Sequence, residues 1–113
     1  MTDATVTHAR EGTERRVAIA GEIDLANAAS VESAIFDAIS NDDTLVVLDL
    51  SDVGYIDSSG VRILFALAAR LRTLQVELVI AAPPASPARR VIELSGMGSM
   101  VPLRPDGRRP PGV

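Results

Sequence analysis

The 113-residue chain has no cysteine, no lysine and no tryptophan, and only one histidine. Without cysteine there is no disulfide, no thiolate metal cluster, no thiol nucleophile and no thiol redox sensor. Without lysine there is no Schiff base and no phosphate-loop lysine. His8 has no second imidazole with which to build a histidine-rich metal site. The longest wholly apolar run, residues 63–69, is seven residues long, where a bilayer-spanning helix needs about 20. Residues 1–10 are polar with no apolar stretch behind them, so no secretory leader pattern opens the chain, and a cytoplasmic protein without a membrane partner is expected. Eleven arginines against fifteen acidic residues leave a net charge of −4, which argues against direct nucleic-acid binding, since that wants a basic face. The catalytic toolkit is poor.

What is present is the balance of an ordinary globular domain, with 47% apolar and 23% charged residues in one domain's length. Residues 17–20 read as a short strand, paired with a weaker one near 5–9 across Glu11-Gly12. Gly21, Glu22, Ile23 and Asp24 read as a loop leading into a helix. There Ala28, Val31, Ile35, Ala38 and Ile39 recur at three- and four-residue spacing. Residues 44–48 are apolar on both faces, the pattern of a central strand covered by helices on either side. A mixed stretch with Gly54 follows, and Ser58 opens a helix running to about Leu74. Residues 76–81 form another strand, Pro83-Pro84 break the chain, and Ser86 before Pro87 reads as cap and first residue of a helix over 88–94. Gly96 stops it, and residues 100–103 are placed as a last strand. The order predicts a single α/β (α+β) domain over 1–103, a small mixed, mostly parallel sheet with packed helices. Residues 104–113, rich in proline, arginine and glycine, read as a flexible, solvated tail.

Ligand and partner sites in such sheets gather at the carboxyl ends of the strands, where residues 21–24 and 57–60 both fall. In Asp57-Ser58-Ser59-Gly60 a serine at a helix start caps free N–H groups and contributes about 1 kcal/mol. Two hydroxyls stand where one cap suffices, so the other points outward at the positive end of the helix dipole, a place suited to binding or carrying a phosphate. The helix behind them has two apolar stripes, Val61, Leu64, Ala68 and Leu71, then Ile63, Leu67 and Leu74 with Phe65 between. That fits either a deeply buried helix or a partner surface. Ser58 as a hydrolytic nucleophile lacks a base and a nucleophile elbow. Asp24, Asp49, Asp52 and Asp57 are candidate magnesium ligands but read better as solvated carboxylates. No metal, cofactor or catalysis is expected.

With these residues in place, the chain resembles the STAS-domain family, specifically bacterial anti-sigma factor antagonists. The matching features are Gly21-Glu22-Ile23-Asp24, then Leu48-Asp49-Leu50-Ser51 running into Tyr55-Ile56-Asp57-Ser58-Ser59-Gly60, and Leu94-Ser95-Gly96-Met97. The resemblance covers roughly residues 6–103. It implies that Ser58 is the phosphoacceptor, with Asp57, Ser59 and Gly60 as the switch loop at the helix start. It implies a docking surface of Gly21, Glu22, Ile23, Asp24 and Arg62. The implied partner is an anti-sigma factor that is also an ATP-dependent serine kinase. The unphosphorylated form binds it and frees a sigma factor, phosphorylation ends the binding, and a serine phosphatase resets the switch. Family members commonly finish with another amphipathic helix, where this chain has its Pro/Arg/Gly segment. An alternative keeps the fold without a phospho-switch, as a STAS accessory or scaffold subunit of a transporter or stress-signalling complex. A third, an anion or nucleotide sensor at the helix start, lacks a glycine-rich cradle.

Overall fold

The computed structural model describes residues 3–107. An eight-residue strand β1 (Ala4–Glu11) turns at Gly12 into β2 (Glu14–Ile23), and helix α1 (Ala28–Ala38) leads to β3 (Leu45–Ile56). Helix α2 (Ser58–Thr73), β4 (Glu77–Ala81), α3 (Pro87–Leu94), a 3-10 turn (Met97–Ser99) and a short β5 (Leu103–Arg104) complete it. The sheet runs in chain order, with β1 antiparallel to β2 and every later pairing parallel. Each parallel step is bridged by a helix, as parallel pairing requires.

All three helices lie on one face. Their buried residues, among them Val31, Ile35, Leu64, Leu67, Leu71, Ala88 and Ile92, share one core cluster with Val17, Ile19, Val46, Leu48, Leu50, Leu78 and Ile80. The alternate strand residues Val47, Val79 and Ala81 are buried but stand outside that cluster, because successive strand side chains point to opposite faces. The expected central strand over 44–48 is therefore buried on both sides but helix-covered on one. Both stripes of α2 are used internally: Ile63, Leu64, Leu67, Ala68 and Leu71 are all buried, and Leu74 alone among the stripe residues is exposed.

Three elements are placed differently from the sequence reading. Residues 21–23 belong to β2 rather than a loop, and β3 continues through the mixed stretch to Ile56. Parallel pairing of Glu22 with Tyr55 and Ile23 with Ile56 extends both strands across two register irregularities. The last strand begins at Leu103, after a turn at Met97–Ser99. Beyond it the chain stays on the sheet: Ala82 N–H donates to the Arg104 carbonyl at 2.9 Å, Arg16 donates to the Gly107 carbonyl, and Gly107 is buried. Of the expected tail, residues 108–113 lie outside the described residues.

Candidate functional site

The pairing of β2 with β3 brings the two sequence-selected segments together. The Asp57 N–H donates to the Ile23 carbonyl at 3.2 Å, so the strand ends are stitched where α2 begins. Asp57 then caps that helix: one carboxylate oxygen accepts from the backbone N–H groups of Ser59 at 2.8 Å and Gly60 at 3.2 Å. The cap is thus the aspartate, where a serine was expected. A carboxylate reaches the second and third amides as well as a hydroxyl does, and its charge suits the helix dipole. Both serine hydroxyls are released from that duty. Ser58, the first helical residue, is exposed, and its side chain makes no hydrogen bond among the described residues; Ser59 is half-buried.

Gly60 is a matter of space. A Cβ there would lie 2.5 Å from Ile56 Cγ1, closer than real Cβ atoms approach, and 3.0 Å from Ile23 Cγ2, a tight contact. The first turn of α2 sits directly on the ends of β2 and β3 only because this residue has no side chain. Gly21 is required for a different reason: its φ is +114° and a Cβ would strike the Asp3 carbonyl. That carbonyl accepts the next amide, Glu22 N–H, at 2.9 Å.

The loop after Ile23 is tied by its own side chains. Asp24 accepts from the Ala26 amide at 2.8 Å, Asn27 Nδ2 donates to the Glu22 carbonyl at 2.8 Å, and Asn27 Oδ1 accepts from the Asp24 amide at 3.0 Å. The Asp24 carbonyl also accepts from the Asn27 and Ala28 amides. This stitching holds Leu25 at the tip, 80% exposed, and Tyr55 on the neighbouring strand is 49% exposed. Arg62, one helical turn after Ser58, is exposed with no ion pair among the described residues. The rim is thus a free hydroxyl, a guanidinium and two large apolar side chains.

Sequence reasoning missed Leu25 and Asn27. An isolated exposed leucine carries no periodicity, and the Asn27 contacts exist only once the loop is closed. Among the described residues no group of histidines, aspartates or glutamates could hold a metal ion, so Asp24, Asp49, Asp52 and Asp57 do not converge. Asp49 instead accepts from the Ser51 amide and hydroxyl. No helix among the described residues is long and apolar enough to cross a membrane.

Comparison with known proteins places this arrangement. The family model described as "STAS domain" matches residues 6–108. Over 93 residues the chain is 37% identical to the anti-sigma-F factor antagonist RsfB of Mycobacterium tuberculosis, covering 82% of this chain and 75% of that one. A crystal structure of an anti-sigma factor antagonist from Mycobacterium paratuberculosis superposes with a TM-score of 0.80 at 31% identity, covering 91% of this chain and 86% of that one. The Bacillus cell fate determinant SpoIIAA in its phosphorylated form shares the fold, with a TM-score of 0.58 at 20% identity over 88% of this chain and 90% of that one.

Proposed function

The chain belongs to the STAS-domain family, and from that premise we propose that it is an anti-sigma factor antagonist switched by phosphorylation of Ser58. Unphosphorylated, it binds an anti-sigma factor through the surface formed by Gly21, Glu22, Asp24, Ser58 and Arg62, and so releases a sigma factor; Ile23, expected at that surface, is instead a fully buried core residue beneath it. The anti-sigma factor is itself an ATP-dependent serine kinase that modifies Ser58, and a serine phosphatase reverses the step. The domain is a binding module without catalysis of its own. The relatives named as anti-sigma factor antagonists support this reading.

Its carrying observation is that Asp57 does the capping, which leaves the Ser58 hydroxyl exposed and uncommitted at a helix start. A phosphoryl group there adds about −1.5 to −2 charges at the positive end of the helix dipole. The helix tolerates the charge, and a partner does not. A dianion about 6 Å from one partner carboxylate costs roughly 1.4 kcal/mol in bulk water and several-fold more in a partly dry interface. The low end is already about tenfold in affinity.

The test is capture from native lysate by the wild type, Ser58→Ala and Ser58→Glu in parallel, with partners identified by mass spectrometry. The wild type and the alanine variant should retain a small ATPase that the glutamate variant loses. Equal capture by all three would overturn the phospho-switch. A membrane transporter subunit in all three would favour the accessory-subunit role.

A further inference from the structure

Helix α2 carries Arg62, Arg70 and Arg72 and no acidic residue. Arg70 lies over the Phe36 ring at 5.2 Å and shares the last turn with Arg72, about 18–21 Å along the axis from Ser58. Arg62 is placed differently. It is exposed, and the residues one turn away on either side, Ser58, Ser59, Phe65 and Ala66, include no carboxylate with which it could pair. Side chains of a helix lean toward its N-terminus, so that of Arg62 is directed back over the turn that opens with Ser58. Residues four apart have Cβ atoms about 5–6 Å from each other. The amides of this helix start are already engaged. Ser59 and Gly60 donate to the Asp57 carboxylate at 2.8 and 3.2 Å, and Val61 donates to the Asp57 carbonyl at 3.0 Å. Glu22, paired with Tyr55, and Asp24 add carboxylates at the end of the adjoining strand. A phosphoryl group on Ser58 thus has the helix dipole in its favour, but the N–H groups of Ser59, Gly60 and Val61 are taken and carboxylates stand around it. The cation within one helical turn of it is Arg62.

We propose, resting on the reading of Ser58 as the phosphoacceptor, that phosphorylated Ser58 captures Arg62 in an ion pair within the helix. Transfer from ATP forms the bond between Ser58 Oγ and the γ-phosphorus. It breaks the bond from that phosphorus to the oxygen bridging it to the β-phosphate, and releases ADP and the hydroxyl proton. Two oxygens of the new phosphate then accept from the planar fork of the Arg62 guanidinium, a geometry that fits arginine better than any other cation. Modification therefore changes the docking surface twice. It adds an anion, and it withdraws the cation with which the unmodified surface holds a partner carboxylate. Before phosphorylation Arg62 has no anion on its own helix and is available between molecules; afterwards it is held within one.

The test needs no partner, which separates it from the capture experiment. Phosphoserine is placed at position 58 of the full chain during translation, and its phosphate is titrated by phosphorus NMR with Arg62 intact and with Arg62→Gln. Phosphoserine ordinarily releases its second proton at about pH 6. With Arg62 intact the midpoint should lie about half a unit lower than with Arg62→Gln, because a nearby opposite charge favours the doubly charged form. Arg62→Lys should restore part of that difference, since it keeps the charge and loses the fork. The Arg62 Nε–H signal should move with the same midpoint and exchange with water several-fold more slowly than in the unmodified chain. Equal midpoints with and without Arg62 would overturn the proposal and leave the phosphate solvated. A lowered midpoint that survives Arg62→Gln would overturn it in favour of the helix dipole acting alone. Equal capture from lysate by Ser58→Ala and Ser58→Glu, with the Arg62-dependent shift present, would count against the partner-switching reading and leave the pair standing.

Discussion

At the amino ends of the parallel strands, most of the charged groups are paired internally. Asp43 is 3% exposed, takes the Arg15 guanidinium at 3.0 Å and the Ser40 amide at 2.9 Å, and has Arg10 at 3.6 Å from its other oxygen. Arg15 donates in turn to His8 Nδ1 at 3.1 Å. At the carboxyl ends the allocation is reversed. One carboxylate, Asp57, satisfies the helix start, and the hydroxyl of Ser58, the Arg62 guanidinium, Leu25 and Tyr55 are left facing solvent. The first end is built to hold together, since a buried charge is costly unless paired. The second is rigid in its backbone and open in its side chains, which is what a surface needs if it must be recognised repeatedly without refolding.

The sharpest way to break the first end is Asp43→Ala. It leaves Arg15 largely buried without its carboxylate partner and should cost about 3 kcal/mol in urea unfolding, with the proteins captured from lysate unchanged at temperatures where the variant stays folded. Acid tests the same group. Burial pushes the Asp43 carboxyl upward, but the Ser40 amide, the hydrogen bond and charge of Arg15, and Arg10 outweigh it and hold the group below its ordinary 3.8. A folded pKa below the unfolded one means the stabilisation is present above 3.8 and is lost as pH falls through the folded value. Stability of the wild type should therefore decline in that window, and Asp43→Asn should flatten the decline. An unchanged acid slope would remove Asp43 as its source.

At the other end the expected effects descend. Gly60→Ala forces Ile56 and Ile23 aside and should cost about 1–3 kcal/mol, as overpacking does, while also displacing the start of α2 and weakening partner capture. Asp57→Ala removes the cap and should cost about 1 kcal/mol by thermal or urea unfolding. Ser58→Ala should leave stability within about 0.5 kcal/mol, because the hydroxyl makes no hydrogen bond that folding relies on. If Ser58→Ala costs as much as Asp57→Ala, the division between a capping aspartate and a free serine is wrong, and with it the contrast between the two ends.

Much of the scaffold is legible in the chain. The spacing of Val31, Ile35 and Ala38 and of Leu64, Ala68 and Leu71 marks two helices whose buried faces are the ones observed. Ser86 before Pro87 marks the start of a third, where the Ser86 hydroxyl accepts from the Arg89 amide at 3.2 Å. These signals are local, so they survive without a neighbour. The carboxyl ends of β2 and β3 were hidden for the complementary reason. Glu22, Gly54 and Tyr55 have no strand signature of their own, and they extend only because each strand supplies the other's ladder. The choice of cap was equally hidden, because Asp57, Ser58 and Ser59 are all acceptable capping residues in sequence.

By itself, then, the sequence determined the class of fold, the positions of the helices and the segment that carries the exposed serine, since periodicity, breakers and caps act over a few residues. Tertiary structure alone decided that the two glycine-bearing segments meet, that Gly60 must be bare for helix to sit on strand, and that Asp57 rather than a serine caps. Each of those depends on atoms brought together by parallel pairing between residues far apart in the chain, and no local pattern encodes such a distance.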